Sequence, residues 1–146
     1  MQITREFLST VFVVQDNKVL LNFNNKCQIW VPVGGHIEKD ELPCQSVIRE
    51  AKEESGLDIE LVDPYQRPVP SNLIRPVNLQ LDHIKEDHKH INLIYFARVV
   101  GGTFTEIADD GAPSKWFTLE DLKTEPKNKL IPEIKLWAIE ALKKLS

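Results

Sequence analysis

Apolar and β-branched residues along the chain form short runs that turn-forming residues separate. The runs at 10–14 and 18–23 flank Gln-Asp-Asn, a pattern that predicts a β-hairpin. Runs of the same kind predict five further strands, at 57–62, 72–82, 90–100, 103–107 and 114–117. Between them, the prolines at 64–70 predict a loop, and Gly101 with Gly102 predicts a turn after the strongest strand.

Helical periodicity appears in the remaining segments. Apolar residues recur at helical spacing from Pro43, which suits a first turn, to Gly56, which suits a left-handed C-terminal cap. Thr118 is placed to cap a short helix at 119–123, and the segment 132–145 is amphipathic. Strands gathered around two or three helices, without regular βα alternation, predict an α+β sandwich rather than a doubly wound fold.

Composition and charge narrow the class of protein. The 146 residues, 42% of them apolar, suit one domain with its own core, and no apolar run approaches the ~20 residues of a membrane helix. The two cysteines, Cys27 and Cys44, have no metal-binding spacing, so we expect a reducing, cytoplasmic compartment. The net charge of −4 argues against a membrane surface or a stable nucleic-acid partner.

The helix that begins at Pro43 carries an acidic stripe. At about 100° per residue, Glu50, Glu53 and Glu54 share one side of this helix, away from its apolar positions. Like charges at these spacings destabilise a helix by about 0.2–0.5 kcal/mol per pair, so the stripe favours a bound cation. Mg²⁺ takes carboxylate oxygens together with substrate phosphates, whereas a simple solvated face is the alternative interpretation. The apolar positions are Cys44, Val47, Ile48 and Ala51.

Residues 35–57 follow the pattern G-x5-E-x7-R-E-U-x-E-E-x-G-U, in which U is aliphatic. The pattern resembles the Nudix box, the signature of the Nudix (MutT-like) hydrolases. Weaker resemblance extends from Trp30 to Leu122, so we expect one Nudix domain over 1–146. Its seven invariant positions are filled by Gly35, Glu41, Arg49, Glu50, Glu53, Glu54 and Gly56.

The resemblance implies a loop–helix–loop motif on a mixed sheet, in an α/β/α sandwich. It also implies Mg²⁺- or Mn²⁺-dependent hydrolysis of a pyrophosphate bond in a nucleotide. A nucleoside triphosphate, as in the nucleotide-pool-sanitising branch, is the leading substrate class, and ADP-ribose or an ADP-sugar is the alternative. A further alternative is a Nudix-fold module that binds a nucleotide without turnover. Homodimers are frequent in the family, although no segment of this sequence identifies an interface.

Residue roles in the box follow from the same resemblance. Glu50, Glu53 and Glu54 resemble the metal-binding carboxylates, one of which alternatively orients or deprotonates water. The carbonyl of Gly35 or Gly34 resembles a further metal ligand. Water attack is thus assigned to this cluster of oxygen ligands.

Two other box positions have supporting roles in the family. Arg49 resembles the arginine that pairs with and aims a catalytic glutamate, and Glu41 resembles the carboxylate across the loop from it. The sequence departs from common family usage at Val33, where proline is frequent, and at Asp40, where glycine is frequent. Neither departure removes a ligand.

One candidate ligand lies outside the box. In the nucleotide-pool-cleaning branch, an acidic residue before Gly-x-Pro-x-x-Trp binds metal, and Asp110 precedes such a segment here, ending at Trp116. Aspartate is shorter than the glutamate that the family prefers at this position, and Asp109 is an alternative to Asp110. An Asx turn at 109–111 explains the same residues without any metal.

Three histidines lie close together along the chain. His83, His88 and His90 neighbour Asp82 but do not follow a zinc-binding spacing. We expect His88 and His90 to share a strand face with Asn92, at pocket or solvent positions. Four aromatic residues are candidates for stacking on a base, although such residues are more often core: Trp30, Tyr95, Phe96 and Trp116.

Overall fold

The computed structural model describes residues 2–65, 67–68 and 72–146. Within these ranges the chain forms eight β-strands and three α-helices. No helix in these ranges is long and apolar enough to cross a membrane. In chain order the elements are β1 (Thr4–Gln15), β2 (Lys18–Asn24), β3 (Ile29–Val31), β4 (Val33–His36), α1 (Pro43–Ser55), β5 (Leu57–Val62), β6 (Asn78–Lys85), β7 (His88–Gly102), β8 (Ser114–Phe117), α2 (Leu119–Thr124) and α3 (Pro132–Leu145).

Two long parallel strands, β1 and β7, form the centre of a mixed sheet. Each pairs on its outer side with two shorter strands in succession. β1 pairs with β4 and then with β2, while β7 pairs with β6 and then with β5, all antiparallel. β2 continues the sheet to β3 and β8. Each central strand therefore changes its neighbour along its length.

Helices cover both faces of this sheet. On one face, Val47 and Ala51 of α1 are fully buried in a cluster with Val11, Val13 and Tyr95 of the sheet. On the other face, residues of α2 and α3 join Phe12 and Phe96 in a second buried cluster. Alternation along β1 and β7 sends successive side chains to opposite clusters. The result is the α/β/α sandwich of the α+β class that the sequence predicts.

Most predicted elements are present, and the differences have local causes. The hairpin between β1 and β2 turns at Asp16 and Asn17, both with positive φ. The predicted turn at Gly101–Gly102 is wrong, because these glycines extend β7 and pair with β5. The predicted return strand at 103–107 is also wrong, since within it only Ile107 forms a bridge.

Three further predictions hold only in part or fall partly outside the described residues. The predicted strand at 72–82 begins only at Asn78, after Pro76. Ile48, placed by periodicity on the apolar face of α1, is 42% exposed, because the sheet covers only the part of the helix that holds Val47 and Ala51. The predicted loop at 64–70 includes residues 66, 69 and 70, which lie outside the described residues.

Gly56 ends α1 in the left-handed conformation, with φ +77°. A Cβ at this position would overlap the carbonyl oxygen of Thr103. Left-handed backbone alone costs an L-residue about 1–2 kcal/mol, so Gly56→Ala is expected to lower the free energy of unfolding by more than this. Urea denaturation of the variant measures the loss.

Gly111 provides the matched control for that prediction. Its φ is +84°, but nothing lies within 4 Å of an added Cβ. Gly111→Ala therefore incurs the backbone cost without the steric overlap. Equal losses of unfolding free energy in the two variants would contradict the packing role of Gly56.

Candidate active site

The loop before α1 and the first turns of that helix position the acidic residues. Pro43 occupies the first helical turn, and the backbone N–H of Leu42 donates to Gln45 Oε1 over 2.9 Å. Burial of Val47 and Ala51 anchors the opposite side of the helix in the core. The helical spacing then presents the acidic stripe beside the loop that contains β4.

Arg49 holds three carboxylates together. Its Nε and Nη2 donate to the two oxygens of Glu41 over 2.9 and 2.7 Å, and its Nη1 donates to Glu50 over 3.0 Å and to Glu53 over 3.1 Å. The bidentate pair holds the pKa of Glu41 down at about 2 and raises the pKa of Arg49. This arrangement joins the loop before α1 to the helix itself.

Glu54 is the acidic residue that Arg49 does not reach. Its Oε2 accepts a hydrogen bond of 3.1 Å from the backbone N–H of Gly34, which joins α1 to β4. Burial, followed by the charge of Glu50, raises the pKa of Glu54 to about 8, with a further contribution from Asp110. Among the described residues, no lysine or arginine forms an ion pair with Glu54.

Glu50 lies between this group and the arginine. Its side chain is 16% exposed, and burial raises its pKa, although Arg49 opposes the shift. A Cβ on Gly35 would lie 2.8 Å from Glu50 Oε1. Glycine at that position therefore leaves the space that the Glu50 carboxylate occupies against the β4 backbone.

Asp110 comes from a distant loop but lies near enough to Glu54 to act on its pKa. Its Oδ1 also accepts a hydrogen bond of 2.9 Å from the backbone N–H of Ala112, which is the Asx-turn contact. The turn and the approach to the acidic stripe thus occur together. Asp109 is exposed in the same loop.

The donors at this site fit a hard divalent cation. The charges of Glu50 and Asp110 add to burial in raising the pKa of Glu54, which indicates negative charge gathered without enough compensation. Carboxylate and carbonyl oxygens are the ligands that Mg²⁺ takes in proteins. Glu53, whose side chain is 58% exposed, adds a carboxylate that reaches solvent.

The raised pKa of Glu54 predicts a pH dependence in metal-free protein. Its folded-state pKa of about 8 lies above the ordinary value of 4.5, so the folded state retains a proton that the unfolded state releases. Stability is therefore expected to fall as pH rises from about 4.5 to about 8. Thermal unfolding in EDTA at about pH 5 and about pH 9 measures the change in Tm.

Glu54→Gln is the control for this pH effect. The amide does not titrate, so the variant is expected to lack the part of the decline in Tm that Glu54 causes. Added Mg²⁺ is expected to raise the Tm of the unmodified protein at the higher pH, because it binds the ionised carboxylates. Parallel Tm curves for the two proteins in EDTA would contradict the burial of an ionisable Glu54.

The histidine prediction is correct for the strand face, and the structure adds two residues that sequence reasoning missed. His88, His90 and Asn92 lie on one face of β7, where the parallel register pairs Glu6 with His90. His36 of β4 joins them by an edge contact with the His90 ring. Burial, then the charges of His36 and His88, lowers the pKa of His90. No sequence pattern predicts this pairing, because it depends on the register between β1, β4 and β7.

The aromatic candidates belong mainly to the core. Tyr95 and Phe96 are buried, at 3% and 0% exposure. Trp30 packs edge-on against Phe117 and donates its Nε1–H to Glu125 over 3.2 Å. Trp116 packs beside one of the buried clusters.

Comparison with known proteins identifies the family. The family model of the NUDIX domain matches residues 5–138. The chain is similar to a NUDIX-family hydrolase from Clostridium perfringens, with 34% identity and a TM-score of 0.84. That match covers 99% of this chain and 100% of the other. Among proteins with curated functions, no sequence matches.

Two more distant structures share the fold. One is a MutT NUDIX hydrolase from Burkholderia pseudomallei, with 19% identity, a TM-score of 0.68, and coverage of 98% of this chain and 99% of that one. The other is an ADP-ribose pyrophosphatase from Streptococcus suis, with 20% identity, a TM-score of 0.62, and coverage of 96% and 91%. With the family model matched across most of its length, the chain belongs to the Nudix family and is a pyrophosphohydrolase.

Proposed function

We propose that this enzyme hydrolyses a nucleoside triphosphate to a nucleoside monophosphate and pyrophosphate, with Mg²⁺ or Mn²⁺ as its cofactor. The observation that supports this substrate class is that the charge of Asp110, on the loop before β8, acts on the buried Glu54 carboxyl and helps to raise its pKa. A carboxylate at that place resembles the extra ligand of the nucleotide-pool-cleaning branch. This carboxylate adds negative charge, so a polyanionic substrate binds here only together with cations.

The metal-holding residues in this proposal are the acidic stripe, one backbone carbonyl and the distant loop. Glu54 and Glu50 lie deepest, Glu53 faces solvent, and Asp110 approaches from the loop before β8. The backbone carbonyl in this proposal is that of Gly35 or Gly34; the missing Cβ of Gly35 leaves room for the Glu50 carboxylate beside this backbone. A divalent ion held here neutralises charge on the pyrophosphate oxygens and lowers the pKa of water.

Arg49 and Glu41 are positioning residues in the same proposal. The bidentate pair fixes the guanidinium, whose Nη1 then orients Glu50 and Glu53. One of these two carboxylates takes the proton as water attacks a phosphorus atom. The bond from that phosphorus to the bridging oxygen breaks, and the bridging oxygen leaves with the pyrophosphate or the monophosphate.

A substrate screen tests the proposal. Nucleoside triphosphates, oxidised triphosphates, ADP-ribose and ADP-sugars are incubated with the enzyme and Mg²⁺, Mn²⁺ or EDTA. Pyrophosphatase followed by phosphate detection reports pyrophosphate, and phosphatase reports monophosphate products. We expect metal-dependent release of pyrophosphate from triphosphates. Turnover of ADP-ribose or ADP-sugars alone would show that the substrate is a nucleoside diphosphate conjugate and not a triphosphate. No turnover by a folded protein with either metal would contradict the proposal.

A cytoplasmic location is part of the proposal. Cys27 is exposed and Cys44 half-buried, and both are free thiols. Unpaired cysteines suit a reducing compartment, where nucleotide substrates are abundant. With a net charge of −4, we expect the nucleotide to be the partner rather than a nucleic acid.

A further inference from the structure

A second group of metal-binding side chains lies on the sheet face opposite α1. Its members come from three adjacent strands: Glu6 from β1, His36 from β4, and His88 and His90 from β7. We call this group the histidine cluster. β1 places Glu6 beside His90 in its parallel register with β7, and places Leu8 beside His36 in its register with β4. Side chains on paired positions share a face, so all four point to the same side.

The ligand atoms of the histidine cluster converge. One carboxylate oxygen of Glu6 and one ring nitrogen each of His36 and His90 all lie within 4.8 Å of one another. Glu6 Oε2 contacts His36 Nε2 directly. His88 Nε2 lies 3.4 Å from Glu6 Oε1 and 3.1 Å from His90 Nε2. Glu6 and His36 are both exposed, so packing does not hold their side chains in one rotamer.

Hydrogen bonds and ion pairs join the four groups, but a hydrogen bond uses the facing ring nitrogens of His88 and His90 differently from a cation. Between the facing Nε2 atoms of His88 and His90, only one proton is shared, and further protonation would place positive charges in contact. A cation instead accepts lone pairs from both rings. His88 Nδ1 lies 2.8 Å from Thr4 Oγ1, so its outer nitrogen already has the kind of partner that orients a metal-binding histidine.

We propose that Glu6, His36 and His90 bind a divalent transition ion of the Zn²⁺ class, with His88 as the adjacent fourth donor. Two imidazoles and a carboxylate, with a further position for histidine or water, form a donor set that Zn²⁺ takes in proteins. Mg²⁺ prefers oxygen ligands throughout, so the histidine cluster selects a different class of ion from the acidic stripe. The proposal is independent of the substrate class.

The histidine cluster is separate from the acidic stripe, although β4 contributes to both. The Cα–H of Gly35 faces Glu50 of α1, and strand alternation sends the next side chain, His36, to the other side of the sheet. There His36 meets Glu6 and His90 rather than the carboxylates of the acidic stripe. Variants on each side of the sheet therefore distinguish the two sites.

Isothermal titration of the full chain with Zn²⁺, in millimolar Mg²⁺, tests the proposal. We expect one equivalent of Zn²⁺ to bind, and His36→Gln and Glu6→Gln each to raise its Kd at least about tenfold. His83→Gln is the matched control, because His83 is exposed on β6 and outside the cluster. Glu54→Gln is the control for the acidic stripe. Both controls are expected to retain the Zn²⁺ equivalent.

Several results would overturn the proposal. These are no Zn²⁺ binding by the unmodified chain, unchanged affinity in His36→Gln and Glu6→Gln, or loss of binding in Glu54→Gln alone. Because His36 and Glu6 have side chains that are 58% and 46% exposed, their replacement is expected to leave the fold intact. Circular dichroism and Tm in EDTA check this. If one variant is unfolded, the other decides the outcome.

Discussion

Glu54→Gln is expected to lower kcat by at least about 10² without unfolding the protein. Glu54 is the deepest carboxylate of the acidic stripe, tied to the backbone N–H of Gly34 and approached by Asp110. The amide retains the size of the side chain but supplies no negative charge to a divalent ion. Steady-state kinetics at saturating Mg²⁺, with Tm measured on the same preparation, separates lost turnover from lost structure.

Glu53→Gln extends the same prediction to the exposed end of the stripe. We expect a decrease of at least about 10² there as well, since Glu53 reaches solvent and contacts Arg49. Glu60→Gln makes the same chemical change on β5, outside the site, and is expected to have little effect. Lys115→Ala is expected to be mild because we assign that residue no role. Near-normal rates in both Glu53→Gln and Glu54→Gln would contradict the assignment of metal ligands.

Arg49→Ala is expected to lower kcat about 10- to 100-fold, the range that a misplaced catalytic group can cost. Its guanidinium connects Glu41 of the loop with Glu50 and Glu53 of the helix. Without it, the two helix carboxylates repel each other and lose their common orientation. Because Arg49 acts through these residues, we expect the loss in kcat rather than in KM.

Two variants test that positioning role. Arg49→Lys retains the positive charge but not the planar fork that binds Glu41 through both oxygens, so only partial recovery of kcat is expected. Lys52→Ala removes another cation of α1, whose partner, Asp58, lies 3.1 Å away outside the site, and is expected to leave kcat near normal. Equal kcat values in Arg49→Ala and the unmodified enzyme would show that the carboxylates need no such support.

Local interactions account for the part of the site that the sequence predicts. Glu50, Glu53 and Glu54 fall on one stripe because helical geometry depends only on spacing along the chain. Pro43 and Gly56 mark the ends of α1 for equally local reasons, fixed φ in one and permissive φ in the other. For such features the identity and order of the residues are sufficient to predict the local structure.

Strand register and long-range packing cannot be predicted from such local interactions. Gly101 and Gly102 have the composition of a turn, yet pairing with β5 keeps them within β7. Ile48 has the period of a buried residue, yet the sheet covers only the neighbouring part of the helix. In both cases tertiary contacts override a local preference.

The amino-acid sequence by itself determined the acidic stripe, the ends of its helix and the family to which they belong. Only the tertiary structure decided that Asp110 approaches Glu54 and that Glu6 meets His36 and His90. The stripe arises within five consecutive residues of one helix. The other contacts join residues from separate strands and loops, whose register is selected by burial of the whole sheet and not by any single segment.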